Sequence, residues 1–339
     1  MIFSYSKHIL SFQKPAKTSR GEYIEKPSWL LQLSQENTSG VGEASPLWDL
    51  SVDGKKDIDT ILRGIPHELS EQDILNLLEE WQPGSNSSLP SLRFALHCAY
   101  LDLKNGGSGT WCNTNFTHKT KGLPINGLVW MNDIESMEKE ALSKIKLGFR
   151  CIKFKVGALD FDSECKLLER IRKEFTSNQL EIRLDANGAF SVDTALEQIK
   201  DLSRFNIHSI EQPIYPGLEI MEKLCRESAI DIALDEELIG MAVGSASVYL
   251  SKLKPKYLIL KPTLLGGLDI CDAWIKVAES AGIGWWSTSA LEGNIGLYAI
   301  AQWVSEKENL RYQGLGTGSL FVENFPSKTE VKGEELWVK

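Results

Sequence analysis

Apolar and polar side chains alternate along residues 1–12, 22–36 and 40–44, the two-residue period of half-buried antiparallel strands. The period then lengthens to that of helices. Ser70 stands where an N-cap belongs, ahead of the periodic run 70–81, and Asp73 completes a weak capping box. After WQPGSNSSLP, a stretch rich in turn formers, residues 91–107 put Leu92, Leu96, Ala99 and Leu103 on one helical face and end at glycine. This region reads as an α+β domain over 1–121, with 104–122 leading out of it.

From Leu123 the pattern becomes strand–helix alternation. INGLVW (125–130) precedes a helix at 134–149, CIKFKV one at 161–175, and EIRLDANG one at 191–205, with Ser191 as its N-cap. HSIEQPI precedes 218–228, DIALDEE precedes 243–253, YLILKPT precedes 267–282, and GIGWWSTS (282–289) precedes 291–306. YQGLGTG (312–318) supplies a final strand. Eight strands and seven helices in about 195 residues suit an α/β architecture, a modified (β/α)7β barrel of the TIM type over 122–315. An open doubly wound sheet is the alternative, but it would carry a glycine-rich phosphate loop after its first strand, and VWMNDIE has none. The tail, 316–339, is too short for another unit and is expected to pack back on the N-terminal capping domain.

Lys155, Asp185, Glu211, Asp235 and Lys261 follow one another at separations of 30, 26, 24 and 26 residues, each at or just beyond the end of a strand-like run. A repeat of about 25 residues fits one strand, one loop and one helix. Parallel strands bring such ends together at the C-terminal face of a barrel, where barrel active sites are built.

Composition changes this picture little. The shares of hydrophobic (42%) and charged (24%) residues are those of an ordinary globular protein. A net charge of −9 argues against nucleic acid or an anionic membrane as partner, since both need a basic face. No apolar run reaches the ~18 residues of a membrane span, and MIFSYSKHIL lacks the features of a signal peptide. The six cysteines are scattered without a Cys-x-x-Cys pair, which suggests reduced thiols and a cytoplasmic protein. The five histidines show no metal-ligand spacing.

The chemistry therefore rests on the five charges. Three carboxylates at neighbouring strand ends suit a hard divalent cation such as Mg²⁺, which keeps positions open for water or a substrate carboxylate. Lys153 and Lys155 flank Phe154, so both amines point to one side of their strand. Mutual repulsion and partial desolvation would lower a lysine pKa towards the range of a general base. Neutralisation of the carboxylates by Lys153 and proton transfer by Lys155 are compatible roles. Lys261, four strands further round, would face Lys155 across the mouth. Such a site can take the proton beside a carboxylate and stabilise the dianion that results.

At these residues the chain resembles the enolase superfamily, and within it the o-succinylbenzoate synthases of menaquinone biosynthesis. The motifs are KFK (153–155), RLDANGAF (183–190), IEQP (210–213), LDEE (234–237) and LKPTLLGG (260–267). STSALEGNIG (287–296) resembles the family's seventh-strand segment, GVGEASP (40–46) a strand of its capping domain, and TSRG (18–21) a mobile loop, containing Arg20, that closes over substrate. The resemblance implies Mg²⁺, with Mn²⁺ as a substitute, on Asp185, Glu211 and Asp235. It implies Lys155 as the acid/base and Lys261 as a stabiliser on the opposite face. Lys153 and Arg183 would stabilise charge around the substrate carboxylate, and Asn187 would help position it. Ser289 and the segment holding Gly314 and Gly316 look like contacts for a succinyl chain. The implied reaction is dehydration of 2-succinyl-6-hydroxy-2,4-cyclohexadiene-1-carboxylate to 2-succinylbenzoate.

Rival readings stay open at this point. N-succinylamino-acid racemases and dipeptide epimerases of the same superfamily use the same two lysines. Dipeptide epimerases carry Asp-x-Asp after the last barrel strand, where this chain reads QGLGTGSLF. Acid-sugar dehydratases place a histidine late in the barrel, whereas the last histidine here is His208. The intact set of two lysines and three acids argues against a catalytically dead binding module.

Overall fold

A computed structural model of the chain describes residues 1–18 and 21–339. The N-terminal region is an antiparallel sheet in the order β1 (Ile2–Thr18), β2 (Gly21–Gln35) and β3 (Thr38–Ala44). It is followed by α1 (Ile58–Arg63), α2 (Glu71–Glu80) and α3 (Pro90–Lys104). The capping box of α2 is present: Asp73 N–H donates to Ser70 Oγ, and Ser70 N–H donates to Asp73 Oδ2.

The α3 helix buries two faces rather than one. Leu92, Leu96, Ala99 and Leu103 join Leu31 and Leu33 in the core of the cap. Phe94 and Cys98, a helical step round, belong instead to the barrel core. The helix can lie so close to β3 because of Gly40 and Gly42. A Cβ at either position would fall within 2.1 Å of a carbonyl oxygen, Ala99 O for Gly40 and Ala95 O for Gly42.

Beyond β4 (Leu123–Pro124), a parallel sheet runs through β5 (Gly127–Val129), β6 (Cys151–Lys155), β7 (Glu181–Asp185), β8 (Ser209–Glu211), β9 (Ile232–Leu234), β10 (Tyr257–Leu260) and β11 (Gly284–Ser287), each strand paired with the next. The helices between them are α4 (Ile134–Lys146), α5 (Phe161–Glu174), α6 (Ala195–Ser203), α7 (Ile220–Glu227), α8 (Ala246–Leu253), α9 (Pro262–Leu265) and α10 (Leu268–Ser280), and α11 (Asn294–Ser305) follows β11. Strand interiors and the inner faces of these helices form one large apolar core. A small separate cluster of Ala233, Tyr257, Ile259 and Trp286 lies on β9, β10 and β11.

Three local expectations need correction. The expected strand at 312–318 shrinks to parallel bridges at two residues, Gln313 with Ile125 and Gly314 with Thr288. Those two residues still join the two edges of the sheet, β5 on one side and β11 on the other, and so close the ring. Ser191 does not cap α6; its carbonyl accepts from Thr194 and Ala195 in a turn, and the helix starts at Ala195. The helix α9, begun by Pro262 directly after Lys261, was not foreseen.

The last residues reach two places. Gln13 N–H donates to Leu320 O and Val322 N–H to Ser11 O, tying 320–322 to β1. Then β12 (Thr329–Lys332) and β13 (Glu335–Val338) form a hairpin whose second strand pairs with β4 beside the barrel. Among the described residues no helix is long and apolar enough to cross a membrane. All six cysteines are unpaired.

Candidate active site at the barrel mouth

Register brings the expected residues together. Lys155 on β6 pairs with Asp185 on β7, which pairs with Glu211 on β8. Asp235 stands just past the end of β9, and Lys261 just past the end of β10. All five side chains are buried, as is Lys153.

Buried charge must be compensated, and here it is compensated mutually. Lys155 Nζ donates to Asp185 Oδ2 at 2.6 Å and to Asn187 Oδ1 at 2.7 Å. Lys153 Nζ reaches up from one layer below, to Asp185 Oδ2 at 3.0 Å and both Glu211 oxygens at 3.1 and 3.2 Å. Lys261 donates to Asp235 and lies 3.8 Å from Glu211 Oε1. Asn187, held in a left-handed backbone conformation (φ 47°), passes its Nδ2 hydrogen to Glu236 Oε1.

These neighbours set the two outer lysines apart. Burial lowers Lys155, Asp185 pulls it back, Lys153 lowers it again, and the outcome lies below the usual lysine range. Burial also disfavours the charge on Lys261, but Asp235, Glu211 and Glu236 outweigh it and hold this ammonium above the usual range. Lys153 is likewise held up, by Asp185 and Glu211 against its burial. Burial would raise Asp185, yet the ammonium groups of Lys153, Lys155 and Lys261 keep it well below the ordinary carboxylate range. Glu211 is pushed well above that range by burial first and by Asp185 next.

Arg183 does not join this group. It sits two residues before Asp185 on the same face of β7, one layer deeper in the barrel. Its guanidinium donates to Glu181 Oε1 at 2.6 Å and Tyr312 O at 2.8 Å, and stacks 4.1 Å from the Trp286 ring centroid. Its partners are thus a carboxylate, a backbone carbonyl and an indole rather than the charges gathered at the mouth. Ser289 is buried at the mouth, its N–H donating to Gly314 O and its hydroxyl to Glu292 Oε2 at 2.6 Å. Gly316 is exposed on the same segment. Arg20 lies outside the described residues.

Two contributors were missed. Gln212, with φ of 37°, accepts from the N–H groups of both Asp235 and Glu237 at 3.2 Å and so orients the turn carrying Asp235. Glu292 accepts from Ser289 Oγ, Ala290 N–H and Thr263 Oγ1, joining the loop after β11 to the one after Lys261. Both lie inside quoted motifs, IEQP and STSALEGNIG, where a buried amide or acid next to strand-end charges was the available signal.

The sequence pattern of the enolase C-terminal domain-like family matches residues 136–338, well over half of the chain. The chain belongs to this family. An o-succinylbenzoate synthase of Desulfotalea psychrophila is 43% identical to it, covering 100% of this chain and 99% of the relative. The crystal structure of MenC from Desulfotalea psychrophila LSv54 superposes with a TM-score of 0.88 at 40% identity, over 100% of this chain and 99% of that one. A substrate-liganded L-Ala-D/L-Glu epimerase from Bacillus subtilis superposes with a TM-score of 0.85 over 99% and 95% of the two chains, and at 20% identity this likeness concerns the fold alone.

Proposed function

We infer that the chain is an o-succinylbenzoate synthase, a lyase that removes water from 2-succinyl-6-hydroxy-2,4-cyclohexadiene-1-carboxylate to give 2-succinylbenzoate for menaquinone biosynthesis. The observation that carries the reading is the full-length likeness, at 43% identity, to an o-succinylbenzoate synthase in a chain that keeps Lys155 and Lys261 at strand ends on either side of the three acids. A dehydratase needs one group that takes a proton and gives it back. Lys155 takes the proton beside the ring carboxylate. It returns that proton to the departing β-hydroxyl on the same face, so water leaves and the ring becomes aromatic. Lys261, pinned by Asp235, stabilises the negative charge from the opposite face without transferring a proton.

The cofactor in this reading is Mg²⁺, with Mn²⁺ able to replace it. Among the described residues no three acidic side chains are gathered at metal-binding spacing; each carboxylate is turned to an ammonium. The donor chemistry still suits a hard cation, because Asp185, Glu211 and Asp235 are all oxygen donors, all buried, at successive strand ends. These three would hold the ion, which when bound would act as a Lewis acid on the substrate carboxylate.

A two-base racemase of N-succinylamino acids is the second reading, and a dipeptide epimerase the third. The first needs Lys261 to exchange protons as well as Lys155; the second needs acids in 313–321, where the chain has none. An ultraviolet assay of succinylbenzoate formation, with Mg²⁺ and then with chelator, tests the reading. Dehydration that stops on chelation is expected. Failure to dehydrate, with racemisation of N-succinylamino acids instead, would transfer the assignment to the second reading.

A further inference from the structure

Two motifs outside the charged site, GVGEASP in the cap and STSALEGNIG in the barrel, meet in one buried joint. Glu43 on β3 accepts from the N–H groups of Gly293 at 2.6 Å and Gly296 at 2.8 Å, the first turn of α11, and from Ser28 Oγ at 2.9 Å. Gly293 leaves the room this needs, since a Cβ there would lie 2.9 Å from Glu43 Oε1 and 2.8 Å from the Phe325 ring. Beside Glu43 stands Lys26 of β2, 2% exposed. Its ammonium donates to three carbonyl oxygens, Ser45 at 2.9 Å in the cap and Ala290 at 3.3 Å and Leu291 at 2.9 Å in the barrel loop. Three acceptors use all three of its hydrogens.

The loop it grips is strained. Leu291 has φ of 63°, a left-handed conformation that a branched side chain adopts only where its surroundings impose it. The impositions are on either side of the turn. Lys26 holds the carbonyls of residues 290 and 291 from the cap, and Glu292 holds Ser289 Oγ and Ala290 N–H from the barrel while also binding Thr263, two residues after Lys261.

We propose that Lys26 is a positioning residue: inserted from the capping sheet, it fixes the strained 289–292 turn, and with it the Ser289 side of the barrel mouth and the Thr263 end of the segment after Lys261. The inference rests on the dehydratase reading only for what enters the mouth, the substrate's flexible acyl chain; the mechanical part stands on the joint itself. One ammonium thus ties β2 and the Ser289 turn to a common reference.

The test uses the full chain with Lys26→Met, which keeps the stem and removes the donors. Amide hydrogen exchange in the substrate-free protein should accelerate about tenfold or more over residues 287–297, the scale of losing charge-assisted hydrogen bonds, while strands 151–155 and 181–185 keep wild-type rates. Lys26→Gln, with two donors on a shorter stem, should give an intermediate change and serves if the methionine variant does not fold. In kinetics, KM for the succinyl substrate should rise several-fold, with kcat altered far less. Unchanged exchange over 287–297, or acceleration spread equally over the barrel strands, overturns the proposal. A chain that never dehydrates this substrate would remove the proposed function and still leave the exchange result to judge Lys26.

Discussion

Lys155 and Asn187 share a 2.7 Å hydrogen bond, and Asn187 carries the contact onward to Glu236, so the proposed base is oriented by an amide as well as by Asp185. An amide cannot titrate, so the lysine's charge is set by its burial and by the charged groups around it, Asp185 and Lys153 first among them. Lys155→Ala should therefore reduce dehydration to background while circular dichroism and thermal melting stay close to wild type. Turnover retained in that variant would remove Lys155 from the role.

Lys261 is expected to behave differently. Substrate analogues incubated in D₂O should exchange their α-proton through Lys155 alone, so Lys261→Ala should lower turnover yet keep some exchange, read by NMR. Exchange that persists in each single variant and vanishes only when both lysines are replaced would favour two-base chemistry.

Arg183 makes a stability prediction. Its guanidinium is buried between Glu181, a backbone carbonyl and the Trp286 face, so Arg183→Met takes from Glu181 its guanidinium and leaves it Cys151 Sγ at 3.4 Å and His208 Nδ1 at 3.9 Å. Breaking a buried ion pair from one side costs ~3–5 kcal/mol. The Glu181 side chain is partly open to water, which places the loss towards the lower end. Denaturant unfolding should show that loss, while KM for substrate changes little. A large KM effect with unchanged stability would return Arg183 to the substrate.

Glu164 gives a pH dependence away from the mouth. Burial pushes its carboxyl up to about 7 although it accepts from the N–H groups of Gly157 and Leu159. An acid whose folded pKa is raised binds more protons in the native state, so its contribution is fully present below about 4.5 and is lost as pH rises through about 7. Glu164→Gln should flatten that decline, raising Tm relative to wild type at pH 8 and not at pH 5. Parallel Tm curves for the two proteins would refute it.

Much of this is legible in the sequence. The strands CIKFK and EIRLD fall within the runs CIKFKV and EIRLDANG because each is an apolar run ending in a charge, and the charges themselves fix the layer that faces the mouth. The depth of Arg183 was not legible, for a specific reason. Side-chain alternation gives its face of β7 but not its depth in the barrel, and two residues of depth separate a floor contact from a substrate contact. Ser191 resembled an N-cap by type, and only backbone geometry distinguishes a capped helix start from the turn it makes. The joint of Lys26, Glu43 and the 289–292 turn joins positions some 250–265 residues apart, and no periodicity within either segment announces its partner.

The two-residue closure at Gln313 and Gly314 has a consequence for how the molecule is made. Seven strands can line up as the chain emerges, but they remain an open, curling sheet until residues 313–314 arrive to stitch its edges together. Residues 320–322 and β13 then fasten to the first strand and to β4, synthesised more than two hundred residues earlier. Pairings this distant form late and slowly. The mouth that gathers the lysines and acids is thus completed after synthesis of its own residues, by a clasp delivered at the end.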